Sequence, residues 1–557
     1  MKTRNNCHKS AKWALVVLLT FGTTLCAQTN GTTTSRDVPA GCDPNVMSEK
    51  YWSIWSDNAL AEIDRDIEKY RKGDFCEKIV DGSRVGDVLP DGMVVSVEQI
   101  SHAFRFGAHD FMVGRLATTD INRRYEEHFV RLFNQITMGI YWRGFELVPG
   151  QPHFHTSSAD LESAFTSGER DKMTPHERYF ASPRRSVDQS LEFAKAHGMT
   201  VHGHPLVWGS VEWMVPFWLY EQYCPQEEKD FLRLPIKDQE RFFRLFAEKD
   251  WLKAYRDRMS EIHGRYTEEE LAAKCPVYLA NMKNRWARRI AEVLDYCGDN
   301  VDSWDVVNES VMDWVRCKSV KTGKAVCKSV YGLMPGDYAL DSFLLAEKHV
   351  SNKVLLSIND YVGTAQYAEQ IDDLLSNGAR VDMVGMQFHI FSDHEFEDLV
   401  AGAEAVRGKL CPITPEGIRS QFKTIGRSGR PVHLSEITIP APGMTERSMQ
   451  QQAIAAANLY RCWFSQPNAY GITWWHTYDG ANAHGGAESG SSGVMDCNAR
   501  PKPVYYALYD LIHRKWKTKV NVVAKDGMIS FRGFRGRYRL AWRDAEGRER
   551  EKFVEVK

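Results

Sequence analysis

Ser303-Trp-Asp-Val-Val-Asn-Glu309 is the stretch on which the fold turns. Ser303–Val307 reads as a short buried strand, and it ends on two polar residues, Asn308 and Glu309. The same pattern recurs along the chain. Thr200-Val-His-Gly-His204 runs on to Trp208, and Val354–Ile358 ends in Asn359-Asp360-Tyr361. Met383–Met386 ends in Gln387-Phe-His389, Val432–Leu434 in Ser435-Glu436, and Gly471–Trp474 in Trp475-His476. Helical spacing is found in Ser186–His197, Asn284–Tyr296, Asp337–Lys348, Ala365–Asn377, Thr414–Arg427 and Arg447–Ser465. Strand followed by helix, repeated, predicts a parallel sheet with helices outside. The number of units favours an α/β fold of the (β/α)8 TIM barrel type over a doubly wound sheet, and no GxGxxG follows an early strand. One polar strand end is usually a helix cap. Six on the same ends indicate a barrel mouth, where active sites lie.

The barrel is expected over residues 101–516, with a helical insertion around 215–280. Residues 1–27 carry Lys2, Arg4, Lys9 and Lys12, then the apolar run Trp13–Phe21, then small residues up to Ala27. That is the pattern of a signal peptide, and it predicts a secreted protein, extracellular or periplasmic. The apolar run is shorter than the ~20 residues a membrane span needs. Residues 28–100 read as a polar linker (28–45), a helix (59–71) and N-terminal β-strands. Between Phe75 and Gly107 the strand candidates are Lys78-Ile-Val, Met93–Val97 and Ala103–Gly107. Residues 517–557 are also strand-like, with hairpin breaks at Asp526-Gly and Glu546-Gly. The two end segments are expected to pair into a small accessory β-module.

Composition narrows the function. Among 557 residues, 71 are Lys or Arg and 73 Asp or Glu, which argues against nucleic acid, whose binding rests on phosphate neutralisation. The 16 Trp, 22 Tyr and 26 Phe suit either a Trp-rich core or a neutral ligand with flat apolar faces, such as a sugar. Ten cysteines follow residue 27, and Cys317 with Cys327, flanking a short loop, is the best candidate pair. No CxxC occurs, and no metal or cofactor is expected. The expected partner is a polysaccharide, and the chain is expected to be a monomer. The run of arginines between Phe531 and Arg550 reads as a solvated strand face.

Glu309 and Glu436 are the acids that directly terminate apolar strands. Two facing carboxyl groups can cleave a glycosidic bond, one as acid/base and the other as nucleophile or base.

At Trp304-Asp-Val-Val-Asn-Glu309 the chain resembles glycoside hydrolase family 10, whose best-known members are endo-β-1,4-xylanases. Gly203-His-Pro-Leu-Val-Trp208 is similar to the family's Gly-His-Thr-Leu-Val-Trp-His. Asn359-Asp-Tyr361, Gly385-Met-Gln-Phe-His389, Val432-His-Leu-Ser-Glu436, Gly471-Ile-Thr-Trp-Trp475 and Pro501-Lys-Pro-Val-Tyr505 follow in the family's order. The resemblance spans about residues 100–515. It implies that Glu309 is the general acid/base and Glu436 the nucleophile of a retaining mechanism, with carboxyl groups roughly 5–5.5 Å apart. It also implies that Asn308 holds the sugar 2-OH, that His389 holds and orients Glu436, and that Gln387 sits in the same hydrogen-bond network. His204, Trp208, Trp475 and Trp142 are implied to line the sugar site.

The chain departs from the family where the sugar is recognised. The family's Glu-Asn-Glu-Met-Lys-Trp is replaced by Met138-Gly-Ile-Tyr-Trp142, which keeps only Trp142. Gly209 stands for the last His of the His-Thr-Leu-Val-Trp-His segment, and Thr438 for an Asp two residues after the nucleophile. Gly480–Gly493 replaces a segment in which the family has a Trp. Xylan is therefore the default substrate, with another β-linked glycan as the alternative. Two further readings remain: a non-catalytic glycan-binding barrel, and a metal site on His202 and His204, which share one strand face, with His389 and His476.

Overall fold

The structure is a computed structural model and describes residues 36–80, 88–116, 118–156, 185–210, 214–234, 249–317, 321–330, 332–409, 411–480 and 489–557. The signal-peptide expectation for residues 1–27 lies outside the described residues, as do 235–248 of the insertion and 481–488 of the glycine-rich stretch.

The strands are, in order, β1 Lys72–Lys78, β2 Val94–His102, β3 Arg105–His109, β4 Gln135–Gly139, β5 Thr200–His204, β6 Val207–Trp208, β7 Ser303–Asn308, β8 Val326–Ser329 and β9 Gly332–Pro335. They continue with β10 Leu355–Asp360, β11 Met383–His389, β12 Val432–Thr438, β13 Ala469–Trp474, β14 Lys519–Val523, β15 Met528–Phe534, β16 Gly536–Arg543 and β17 Glu549–Val556. β3, β4, β5, β7, β10, β11, β12 and β13 pair in parallel in that order, and β13 returns to β3. The result is a closed (β/α)8 barrel. The two-residue β6 adds to β7 near its C-terminal end.

Local chemistry explains the alternation. Thr118, Ser186, Thr414 and Thr445 each accept a hydrogen bond from a backbone N–H in the first turn of the helix that follows them, which satisfies groups a helix start leaves unpaired. Gly203 lies between the two histidines of β5 because the Trp304 ring of β7 presses on it: a Cβ there would sit 2.1 Å from the indole. Trp304 and Trp474 are fully buried residues of the barrel wall. The expected insertion is helical, with Phe217–Tyr223, Gln226–Leu232, Lys249–Arg265 and Glu268–Lys274.

Two sequence expectations need correction. Ala103–Gly107 was grouped with the accessory strands, but β3 is the first barrel strand and pairs with β13 and β4. Its opening Phe-Arg-Phe alternation imitates a half-exposed strand, and only pairing on both sides reveals a buried one. The other correction concerns Lys78-Ile-Val: the strand runs earlier, as Lys72–Lys78, where Phe75 pairs with Phe531 of β15.

The accessory module interleaves the chain ends. β2 lies between β14 and β16, and β17 edges β16, while β1 pairs with β15. Its own core holds Phe75, Val95, Val97, Ile529, Tyr538, Leu540 and Trp542. Along β16 inward residues alternate with outward arginines. Arginines of the module meet acids: Arg532 of β15 with Asp74 and Glu68, Arg539 of β16 with Glu98, and Arg548 just before β17 and Arg550 within it with Asp544. The helix Asp57–Arg71 packs on the barrel helix Glu446–Ser465. Its last residue, the buried Arg71, donates to the carbonyls of Phe464, Gln466 and Ala469, at 2.9 Å for the last. Among the described residues no helix is long and apolar enough to cross a membrane.

Candidate active site

β7 delivers Asn308 inside the barrel, and the chain then turns sharply. Glu309 has φ +53°, a left-handed conformation that costs a non-glycine residue of order 1 kcal/mol. Its N–H donates to Asn359 O at 2.7 Å, and Val311 N–H, starting the next helix, donates to the Asp360 carboxyl at 2.9 Å. A second Asp360 oxygen accepts from Val362 N–H at 2.9 Å. Burial pushes Asp360 up to about 8; the two backbone donors oppose this, and the nearby charges of Glu309 and Asp313 add to it. The end of β10 thus braces the turn that aims Glu309.

Glu436 sits on β12 where the register with β13 breaks between Leu434 and Ile437; the register with β11 also breaks beside Gln387. Such irregularities re-aim side chains at barrel rims. Glu436 Oε1 accepts from Asn359 Nδ2 at 2.7 Å. Asn359 Nδ2 also donates to Asn308 Oδ1 at 2.8 Å. Gln387 Nε2 donates to Asn308 Oδ1 at 3.3 Å and to Glu309 Oε1 at 3.1 Å, and Asn308 Nδ2 reaches Glu309 Oε1 at 3.4 Å. A continuous amide bridge therefore links the two carboxyl groups. Ser435 Oγ donates to Asn359 Oδ1 and fixes which way that amide points.

Histidines surround Glu436. His389 Nε2 is 3.2 Å from Glu436 Oε2, and His204 Nε2 is 3.8 Å from Oε1. Asp305, in the middle of β7, accepts from His204 Nδ1 at 2.8 Å and from His202 Nε2 at 2.9 Å, and His202 Nδ1 meets Ser303 Oγ. These contacts take up both ring nitrogens of His202 and Nδ1 of His204. Burial raises the Asp305 carboxyl, but its two histidine partners more than offset this and hold it well below the usual range. Burial pushes Glu436 up to about 7; His204 and the Asn359 hydrogen bond pull it down, and Asp305 pushes it further up.

Aromatic rings wall the site. Trp475 stands edge-on to His204 at 5.1 Å and to His109 at 4.5 Å, and Tyr141 stands edge-on to His204 at 5.7 Å and tilted to Trp208 at 6.3 Å. Phe111 stacks on His109 and lies edge-on to Trp475 at 5.5 Å. Of the residues singled out in the sequence, Asn308, Glu309, Gln387, His389, Glu436, His204, Trp208 and Trp475 are brought together. Trp142 stands apart: it is 1% exposed, donates to Glu146 at 2.8 Å, and packs edge-on to Trp218. Asp305, Asn359, His109, Phe111 and Tyr141 were not singled out. Asp305, Asn359 and Tyr141 had a signal, by lying within quoted motifs; His109 and Phe111 had none.

Residues 263–511 match Glycosyl hydrolase family 10. The segment 263–511 is a family 10 glycoside hydrolase domain. It spans β7 to β13 and both glutamates, while β3, β4 and β5 lie outside the matched residues. Endo-1,4-beta-xylanase B of Butyrivibrio fibrisolvens is 24% identical over 360 residues, covering 61% of this chain and 44% of that protein. This chain therefore spans less than half the length of that relative. Endo-1,4-beta-xylanase A of Halalkalibacterium halodurans is 27% identical over 345 residues, 58% of this chain and 72% of that one. Among solved structures, xylanase 10B of Thermotoga petrophila, in complex with xylobiose, covers 74% of this chain and 95% of its own at 20% identity and a TM-score of 0.45.

Proposed function

We propose that the chain is a secreted, retaining glycoside hydrolase that cleaves internal β-1,4 bonds of xylan or a closely related β-linked polysaccharide, working as a monomer. The observation that carries this is the amide bridge between Glu309 and Glu436 at the ends of β7 and β12. Two carboxyl groups facing one another at a barrel mouth can divide the work of double displacement. Glu436 attacks the anomeric carbon, and Glu309 delivers a proton to the leaving oxygen. Once the glycosyl ester forms, the charge of Glu436 is gone, and Glu309 takes a proton from the incoming water. Asn308, between the two, is placed to hold a sugar hydroxyl. The family 10 domain and the xylanase relatives support the substrate class. The basic, then apolar, then small-residue pattern of residues 1–27 supports secretion.

The test is reducing-sugar release and product analysis on a panel of β-linked plant and algal glycans. The expected result is oligosaccharide release from xylan or a related glycan that Glu436→Ala abolishes. Activity that persists in Glu436→Ala, or binding without turnover on every glycan, contradicts the proposal. N-terminal sequencing of exported protein is expected to begin after Ala27.

A further inference from the structure

Thr438 ends β12, directly across from His389 on β11. His389 Nδ1 is 2.8 Å from Thr438 Oγ1, and the same oxygen is 3.3 Å from His476 Nδ1. His476 lies just past β13, where Trp474 Nε1 donates to its carbonyl at 3.0 Å. Thr438 is fully buried and His476 nearly so. A line of hydrogen bonds thus runs Glu436–His389–Thr438–His476, crossing the ends of three strands.

The proton positions along this line follow from donor and acceptor counting. Burial keeps His389 neutral, pushing it down to about 3; Lys409 and His204 act in the same direction and Glu395 against it. A neutral imidazole has one donor and one acceptor nitrogen, and the partner of one sets the state of the other. With Glu436 ionised, Nε2 must be the donor, because a lone pair there would face a carboxylate. Nδ1 is then an acceptor, and Thr438 O–H is the group beside it. The hydroxyl has a single proton, so toward His476 its oxygen accepts, and His476 carries its proton on Nδ1. Reversing any link reverses them all and leaves a lone pair of His389 against Glu436.

We propose that Thr438 and His476 are positioning residues for the nucleophile: His476 Nδ1–H donates to Thr438, Thr438 O–H donates to His389 Nδ1, and His389 Nε2–H donates to Glu436. The hydroxyl, able to donate, satisfies Nδ1 in the one tautomer of His389 that can hold an ionised Glu436 without itself being charged. A carboxylate at position 438 would instead draw a second proton onto His389. The kinetic consequence rests on the proposed role of Glu436; the tautomer does not.

The test is side-chain 15N NMR of the full chain labelled at histidine, at pH 8, with signals assigned through His389→Gln and His476→Gln. The expected result is His389 protonated on Nε2 alone and His476 on Nδ1. Thr438→Val should shift the His389 Nδ1 resonance, which loses its hydrogen-bond donor while Nε2 stays protonated, and lower kcat on an aryl β-xylobioside by about five- to tenfold with KM little changed, the loss of roughly one hydrogen bond. Thr438→Ser should restore both readings, and Thr438→Asp should leave His389 doubly protonated. A His389 protonated on Nδ1, or a His389 signal unchanged in Thr438→Val, overturns the proposal. Full activity in Glu436→Ala with His389 still protonated on Nε2 overturns the role of Glu436 and leaves the relay standing.

Discussion

At the scale of single residues, burial and donor placement give the two carboxyl groups different surroundings, Asn359 and His389 for Glu436 and Gln387 and Asn308 for Glu309. Glu436 is pushed up to about 7 by burial, so it loses its charge on modest acidification. In the proposed mechanism attack requires the ionised form; kcat/KM is therefore expected to fall as pH drops through about 7, which a pH–rate profile reads directly. A profile flat down to pH 5 would contradict that ionisation state. Asn359 is the residue both carboxyl groups depend on, through its side chain for Glu436 and its carbonyl for Glu309. Asn359→Ala removes a hydrogen bond to a charge, about 1.5–3 kcal/mol, and is expected to lower kcat/KM about 10- to 100-fold without loss of fold. Glu309, Glu436 and the polar strand ends were legible in sequence because they interrupt apolar runs. Asp305 was not: it lies inside Trp-Asp-Val-Val, where a strand reads as continuous, and its partners His202 and His204 are a hundred residues away along the chain. Only the β5–β7 pairing brings them together.

At the scale of elements, the barrel strands were read from their apolar runs apart from β4, for which no strand was read from the sequence. β3 and β4 are five residues each and contain Arg105, Gln135 and Gly139, so their burial is decided by the strands on either side. The helices read from spacing were located to within a few residues, apart from Pro276–Cys297, which begins earlier because Pro276 is well suited to a first turn; Thr119–Leu132 and Asp393–Ala401 were not read. Arg71 is the strongest single tie between the N-terminal helix and the barrel. Arg71→Leu leaves the end of the helix Glu446–Ser465 without its capping donors and is expected to cost about 2–3 kcal/mol in denaturant unfolding. Cys317 and Cys327, as thiols, have sulfurs 2.7 Å apart where the helix following Glu309 meets β8. In protein exported to an oxidising compartment, peptide mapping is expected to find them crosslinked to each other.

At the scale of the whole molecule, the two ends of the chain complete one small sheet beneath a barrel that the middle builds. β2 is held between two C-terminal strands, so removing residues 517–557 exposes its edges and opens the core around Val97 and Leu540. That truncation is expected to lower the thermal midpoint and promote aggregation. A midpoint equal to that of the full chain would show that the sheet contributes no stability. The interleaving was anticipated from strand-like composition at both ends, but which strand neighbours which was not, because sequence periodicity carries no partner information. The family 10 match begins after the first three barrel strands. Those strands bring Tyr141 and the His109–Phe111 stack against Trp475 and Trp208, while both glutamates lie within the matched part. The most direct test of the account is to trap the glycosyl-enzyme with a 2-deoxy-2-fluoro-β-xylobioside carrying a good leaving group and locate the label by peptide mass spectrometry. The account predicts one ester, on Glu436, formed as activity is lost. A label on any other residue, or full turnover with no label, would contradict it.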